Sequence, residues 1–260
     1  MLMDMAVEEM RKSTESRVSD KCFDNAMYPL EDERTDLGIS CDKCDGSGWI
    51  FKSDGGHGSA RKCSCMTEFY NRRRVKRSGL EHVLKSKTFD TFSENSTWQK
   101  AVKKTAQEFV KSSGTWFFIG GAVGSGKTHI CSAICAELIK EKSVKYAPWR
   151  ETIVPIKSSV CDAVEYARLM NPLKTVDVLY LDDFFKGNVT DGDKNVAFEL
   201  LNYRYNAELI TILSTEFFIS GLIAIDEAVG SRIAQMSREF CCEVENGDGK
   251  NWRLEARLKG

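Results

Sequence analysis

Apolar residues fall into short, nearly solid runs separated by longer stretches with helical spacing. Trp116 to Ile119, Ser143 to Trp149, Val176 to Leu181, Leu209 to Leu213 and Phe240 to Val244 are the runs, and each reads as a buried strand. Between them the apolar positions recur at three and four residues. Ile130, Ala133, Ile134, Leu138 and Ile139 form one such stripe, and Ile153 to Met170, Val196 to Ala207 and Ile223 to Gln235 carry others. A further amphipathic helix, Trp98 to Val110, precedes the first of these strands. Strands alternating with helices predict an α/β fold: a five-stranded parallel sheet, right-handed crossovers, helices on both faces, and ligand at the carboxyl ends of the strands.

The loop after the first of these strands carries the chemistry. Gly121-Ala-Val-Gly124-Ser125-Gly126-Lys127-Thr128 is a full G-x-x-x-x-G-K-[ST] match, placed between a strand and a helix. Glycines let backbone N–H groups turn inward around phosphate at the positive end of a helix. Gly121, Gly124, Ser125, Gly126, Lys127, Thr128 and His129 are the expected contacts of ATP or ADP, with Lys127 neutralising the β- and γ-phosphates and Thr128 offering its hydroxyl to Mg²⁺. The run from Val176 ends in Asp182-Asp183, which places Asp182 beside the metal and Asp183 where attacking water must sit.

Composition narrows the rest. Lysine plus arginine, 37, nearly balances aspartate plus glutamate, 38, so any nucleic-acid contact must come from a local patch. Tyr70 to Arg77, with five positive charges, is the candidate; a solvated helix face is the plainer reading. The first residues lack the apolar core of a signal peptide and no run reaches membrane-spanning length, so a cytoplasmic protein without membrane contact is expected. Ten cysteines then point to metal rather than disulfides. Cys41-x-x-Cys44 and Cys63-x-Cys65 flank a glycine-rich loop and form a Cys₄ set for a structural Zn²⁺, with no position open for catalytic water. His57 lies inside that loop as an alternative ligand. The expected organisation is a polar segment over 1–40 with a helix near Asp4–Arg17 and an isolated Cys22, a zinc module with a basic helix over 41–77, a linker over 78–97, and an ATPase domain over 98–260.

The phosphate loop, the Val176–Asp183 segment, the Ser214-Thr215 tip and Ala228-Val-Gly-Ser-Arg232-Ile together resemble the AAA+ ATPases. They look most like the bacterial and phage replicative helicase loaders of the DnaC/DnaI type, over roughly residues 41–255. That resemblance implies partners: a hexameric replicative helicase, single-stranded DNA, and copies of the same ATPase domain. It also implies roles: Arg232 as an arginine finger acting on a neighbour's nucleotide, Thr215 or Ser214 at the sensor position, and Arg253 as a second sensor. Only about thirty residues follow Arg232, which implies a truncated helical lid. Other readings of the same engine are a transposition helper ATPase of the IstB type, a P-loop kinase acting on a small molecule, and a zinc-bearing adaptor that binds ATP without hydrolysing it.

Overall fold

The computed structural model describes residues 40–54, 57–84, 86–112, 115–245 and 247. The Asp4–Arg17 helix, Cys22 and Arg253 lie outside them, as does the side chain of His57. The chain divides into two compact units, Met1–Phe69 and Tyr70–Gly260. In the first, a turn carrying Cys41 and Cys44 leads into β1 (Trp49–Asp54), which pairs antiparallel with β2 (His57–Lys62). Helix α1 (Cys65–Ser78) begins in this unit and ends in the second. Among the described residues no helix is long and apolar enough to cross a membrane.

In the second unit, α2 (Glu81–Leu84) and α3 (Thr97–Lys111) lead to β3 (Trp116–Gly121) and α4 (Lys127–Leu138). Then follow β4 (Val144–Pro148), α5 (Trp149–Ser158), α6 (Ala163–Thr175), β5 (Val178–Asp182), α7 (Asp191–Asn206) and β6 (Ile210–Ser214). Helices α8 (Ile219–Ile225) and α9 (Glu227–Met236) precede β7 (Cys241–Val244). The five strands β3 to β7 form one parallel sheet in the order β4-β5-β6-β3-β7. Strand side chains alternate between two cores. Trp116, Phe118, Leu179, Leu181 and Leu213 face α5 to α9, while Phe117, Ile119, Val178, Tyr180 and Ile212 face α3 and α4. Strands buried on both faces are why these runs read as solidly apolar.

Two features depart from the sequence pattern. The stripe from Ile153 to Met170 is two helices, because Asp162 accepts hydrogen bonds from the N–H groups of Val164 and Glu165, both at 3.1 Å, and restarts the helix. The stripe from Ile223 to Gln235 is likewise broken at Asp226, which caps α9 through the Val229 N–H at 2.8 Å. Gly230 lets α9 lie close to α8: a Cβ there would sit 2.5 Å from the Ile223 nitrogen. Within 78–97, Leu80 and Phe92 are buried in the α3–α4 core and Phe89 packs against it. Arg74 of the basic run donates to the carbonyls of Ile139 (3.0 Å) and Lys140, at the carboxyl end of α4. Such a cation answers the negative end of the helix.

Arg204, on α7, is fully buried. Its guanidinium donates to Thr211 Oγ1 (2.9 Å) and to the carbonyls of Leu173 (2.9 Å), Val176 (2.9 Å) and Ile210 (2.5 Å). One side chain thereby ties the end of α6 to the starts of β5 and β6. Burial pulls its pKa down to about 9, so it stays charged at neutral pH.

Candidate functional site

The loop between β3 and α4 is shaped by two glycines. Gly121 has φ 105°, and a Cβ there would meet the Val244 carbonyl oxygen at 2.1 Å, so only glycine fits. Gly126 has φ 87° and stands at the N-cap of α4, where no side chain caps the helix. The first N–H groups of α4 therefore have no intrahelical or side-chain acceptor and face the loop, the arrangement in which an oxyanion is bound. Lys127 is buried, and its Nζ donates to the carbonyls of Gly121 (2.9 Å) and Ala122 (2.8 Å). Burial lowers its pKa, while the carboxylates of Glu216 and Asp183 oppose that shift. Ser125 Oγ is turned inward on the Ala122 carbonyl at 2.8 Å.

Thr128, at the start of α4, donates its hydroxyl to Asp182 Oδ1 at 3.3 Å, joining the loop to the end of β5. The same carboxylate gathers three more hydroxyls: Tyr180 (2.6 Å) and Ser214 (2.5 Å) on Oδ1, and Tyr146 (2.9 Å) on Oδ2. Asp183 turns the chain through φ 53° at the strand end. Its N–H reaches Ser214 Oγ at 3.1 Å, and its carboxylate pairs with Lys186 at 2.8 Å. Lys186 also lies 3.3 Å from Glu216. The two acids thus have different settings: Asp182 is buried among four hydroxyls, and Asp183 is half-exposed beside the Lys186 ammonium. The cluster can hold phosphate at the loop, a divalent cation between Thr128 and Asp182, and a polarised water near Asp183.

Three predicted site residues have their side chains engaged elsewhere. Thr215 is fully buried, and its hydroxyl is spent on the Phe184 carbonyl at 2.7 Å, so Ser214 and Glu216 are the β6-end side chains that meet the acidic pair and its lysine. Arg232 donates to the Ala228 carbonyl at 2.7 Å and lies over the rings of Phe198 (4.9 Å) and Tyr205 (5.6 Å). His129 points away from the loop, with Nε2 near the Thr88 carbonyl (2.9 Å) and Thr91 Oγ1 (3.1 Å), and its ring edge-on to Phe92. Sequence reasoning passed over Tyr146 and Tyr180. The signal available was the direct pairing of their strands, which no single run reveals.

In the first unit the sulfurs of Cys41, Cys44, Cys63 and Cys65 all lie within 4.8 Å of one another. Cys41 and Cys63 are 3.7 Å apart, Cys44 and Cys65 3.6 Å. Zn–S bonds of about 2.3 Å in a tetrahedron put sulfurs roughly 3.8 Å apart, so the donor set fits zinc. The Gly48 N–H donates to Cys44 Sγ at 3.3 Å. The Cys63 thiol is lowered to about 7, chiefly by the Cys65 N–H, which favours the thiolate a metal requires.

The sheet order, the phosphate loop after β3 and the paired acids ending β5 define a P-loop ATPase of the AAA+ class. The model of the bacterial DnaA ATPase domain matches residues 83–236, more than half of the chain. The chain belongs to this family of AAA+ ATPases. It is 28% identical over 277 residues to the phage-like element PBSX protein XkdC of Bacillus subtilis, covering 99% of this chain and 97% of that protein. The replicative helicase loader DnaC of Escherichia coli is 23% identical over 175 residues, 64% of this chain and 69% of DnaC. The crystal structure of DnaI superposes with a TM-score of 0.53 at 22% identity, covering 64% of this chain and 93% of that one, which shows a common fold.

Proposed function

We propose that this protein is an ATP-dependent loader that binds a hexameric replicative helicase and delivers it to single-stranded DNA. The observation that carries the reading is the similarity to a protein named as a replicative helicase loader, over 64% of this chain. In this reading Lys127 holds the β- and γ-phosphates, Thr128 and Asp182 hold Mg²⁺, Asp183 polarises the attacking water, and Arg232 serves the nucleotide of an adjacent copy. Bound Mg²⁺ supplies charge neutralisation between the phosphates. The test is affinity capture of the full chain from its native host with ATP present. A hexameric helicase should co-purify, and ATP hydrolysis by the complex should rise with single-stranded DNA. Capture of a transposase instead, or hydrolysis that answers only to a small acceptor, would replace the loader with the IstB-type or kinase reading.

The four cysteines hold one structural Zn²⁺ per chain in this reading. Cys65→Ser should lose the metal and unfold the first unit, because so short a segment has little apolar core of its own. Nucleotide binding by the second unit should persist. Metal analysis of protein purified under reducing conditions without chelator checks this, and zinc-free protein with an intact hairpin fold would refute it.

A further inference from the structure

The four hydroxyls on Asp182 are divided unequally between its two oxygens. Oδ1 accepts from Thr128, Tyr180 and Ser214, at 3.3, 2.6 and 2.5 Å. A carboxylate oxygen has two lone pairs, so Oδ1 is fully occupied by the protein. Among the described residues Oδ2 accepts only Tyr146, at 2.9 Å, which leaves it one lone pair. Tyr180 is fully buried and lies two residues before Asp182 on β5, on the same side of the sheet. Tyr146 is its direct partner on β4, with ring centroids 5.3 Å apart and planes inclined by 43°. Unlike Tyr180, Tyr146 is only half-buried and reaches the carboxylate from the rim of the site.

We infer that Tyr146 is a positioning residue for the magnesium site: its hydroxyl, bonded to Oδ2, fixes the rotation of the Asp182 carboxylate. The inference rests on the proposed role of Asp182 as the metal-side acid. Thr128, Tyr180 and Ser214 share Oδ1, so any one of them can be lost with the others still holding it; Oδ2 is held by Tyr146. Partners of this kind, which touch a metal-binding group rather than the metal, change affinity by about 10- to 100-fold when removed. The phosphate loop acts on nucleotide through Lys127 and the α4 N–H groups, so binding without metal should not depend on Tyr146.

The test uses the full chain and a fluorescent ATP analogue, titrated with Mg²⁺ and separately in chelator. Tyr146→Phe keeps the ring and its packing on Tyr180, and should raise the half-saturating Mg²⁺ concentration about tenfold. Affinity in chelator and the melting temperature should be unchanged. Tyr180→Phe leaves Thr128 and Ser214 on Oδ1 and should shift the Mg²⁺ requirement far less. An unshifted Mg²⁺ requirement for Tyr146→Phe, or an equal shift for Tyr180→Phe, would overturn the inference. Asp182→Asn, measured alongside, separates the two layers. If it too leaves the Mg²⁺ requirement unchanged, the role proposed for Asp182 has failed; if it alone responds, only the assignment to Tyr146 has.

Discussion

Lys127→Ala loses nucleotide, whereas Asp183→Asn binds ATP and keeps it. The buried Lys127 Nζ is held by two loop carbonyls, Gly121 and Ala122, at the point where phosphate would enter. Removing a charged hydrogen-bond partner of a phosphate costs about 1.5–3 kcal/mol, and the alanine also takes the ammonium donor from the Gly121 carbonyl, while the Ala122 carbonyl keeps the Ser125 hydroxyl. Binding should therefore weaken by at least tenfold to a hundredfold, beyond detection where the starting affinity is modest. The Asp183 carboxylate pairs with Lys186 rather than with the loop, and its N–H is fixed by Ser214. Asn at this position keeps the shape but cannot accept a proton or polarise water, a loss of about 10²- to 10⁴-fold in turnover. Equilibrium binding and single-turnover hydrolysis of the two variants check the division. Equal affinities would show that the two roles had been wrongly separated.

What the sequence made legible follows from where the physical signal sits. The three central strands β3, β5 and β6 were readable because they are buried on both faces, so their runs are apolar without alternation, while β7 buries only Cys242 and Val244. The phosphate loop and the four cysteines were readable because their chemistry needs fixed spacings along one segment. The helix breaks at Asp162 and Asp226 were not, since the apolar period continues across each and a single capping carboxylate decides the matter. Arg204 looked like one more polar position on a helix, yet six residues downstream and thirty upstream supply the carbonyls that justify burying it. The hydroxyl cluster around Asp182 was hidden for the same reason. Tyr146, Tyr180 and Ser214 lie on three adjacent strands, and only the register of the sheet brings them to one carboxylate.

Arg232→Ala binds ATP but hydrolyses it hardly at all, and activity returns when it is mixed with Asp183→Ala. Among the described residues, the hydrogen bond and ring contacts of Arg232 are with its own helix and with α7: the Ala228 carbonyl, the Phe198 ring and the Tyr205 ring. None involves the phosphate loop or the acidic end of β5, so the site it could serve is a neighbour's. Its Nε is buried without a hydrogen-bond partner, which leaves a donor unsatisfied in the isolated chain. Leaving the two rings costs about 0.5–2 kcal/mol. An arginine that stabilises charge developing on the γ-phosphate is worth a thousandfold or more in turnover, about 4 kcal/mol. The second quantity exceeds the first, so assembly around ATP should draw the guanidinium off its aromatic shelf. An arginine that only packs on Phe198 would change stability and leave turnover nearly untouched. Mixing distinguishes these outcomes: an Asp183→Ala subunit still presents Arg232, and an Arg232→Ala subunit still has its acid, so one interface of each mixed pair is whole. Part of the DNA-stimulated rate should return under conditions that favour assembly. No recovery, in a mixture shown to co-assemble, would place Arg232 outside the shared site and leave it as a packing residue of α7 and α9.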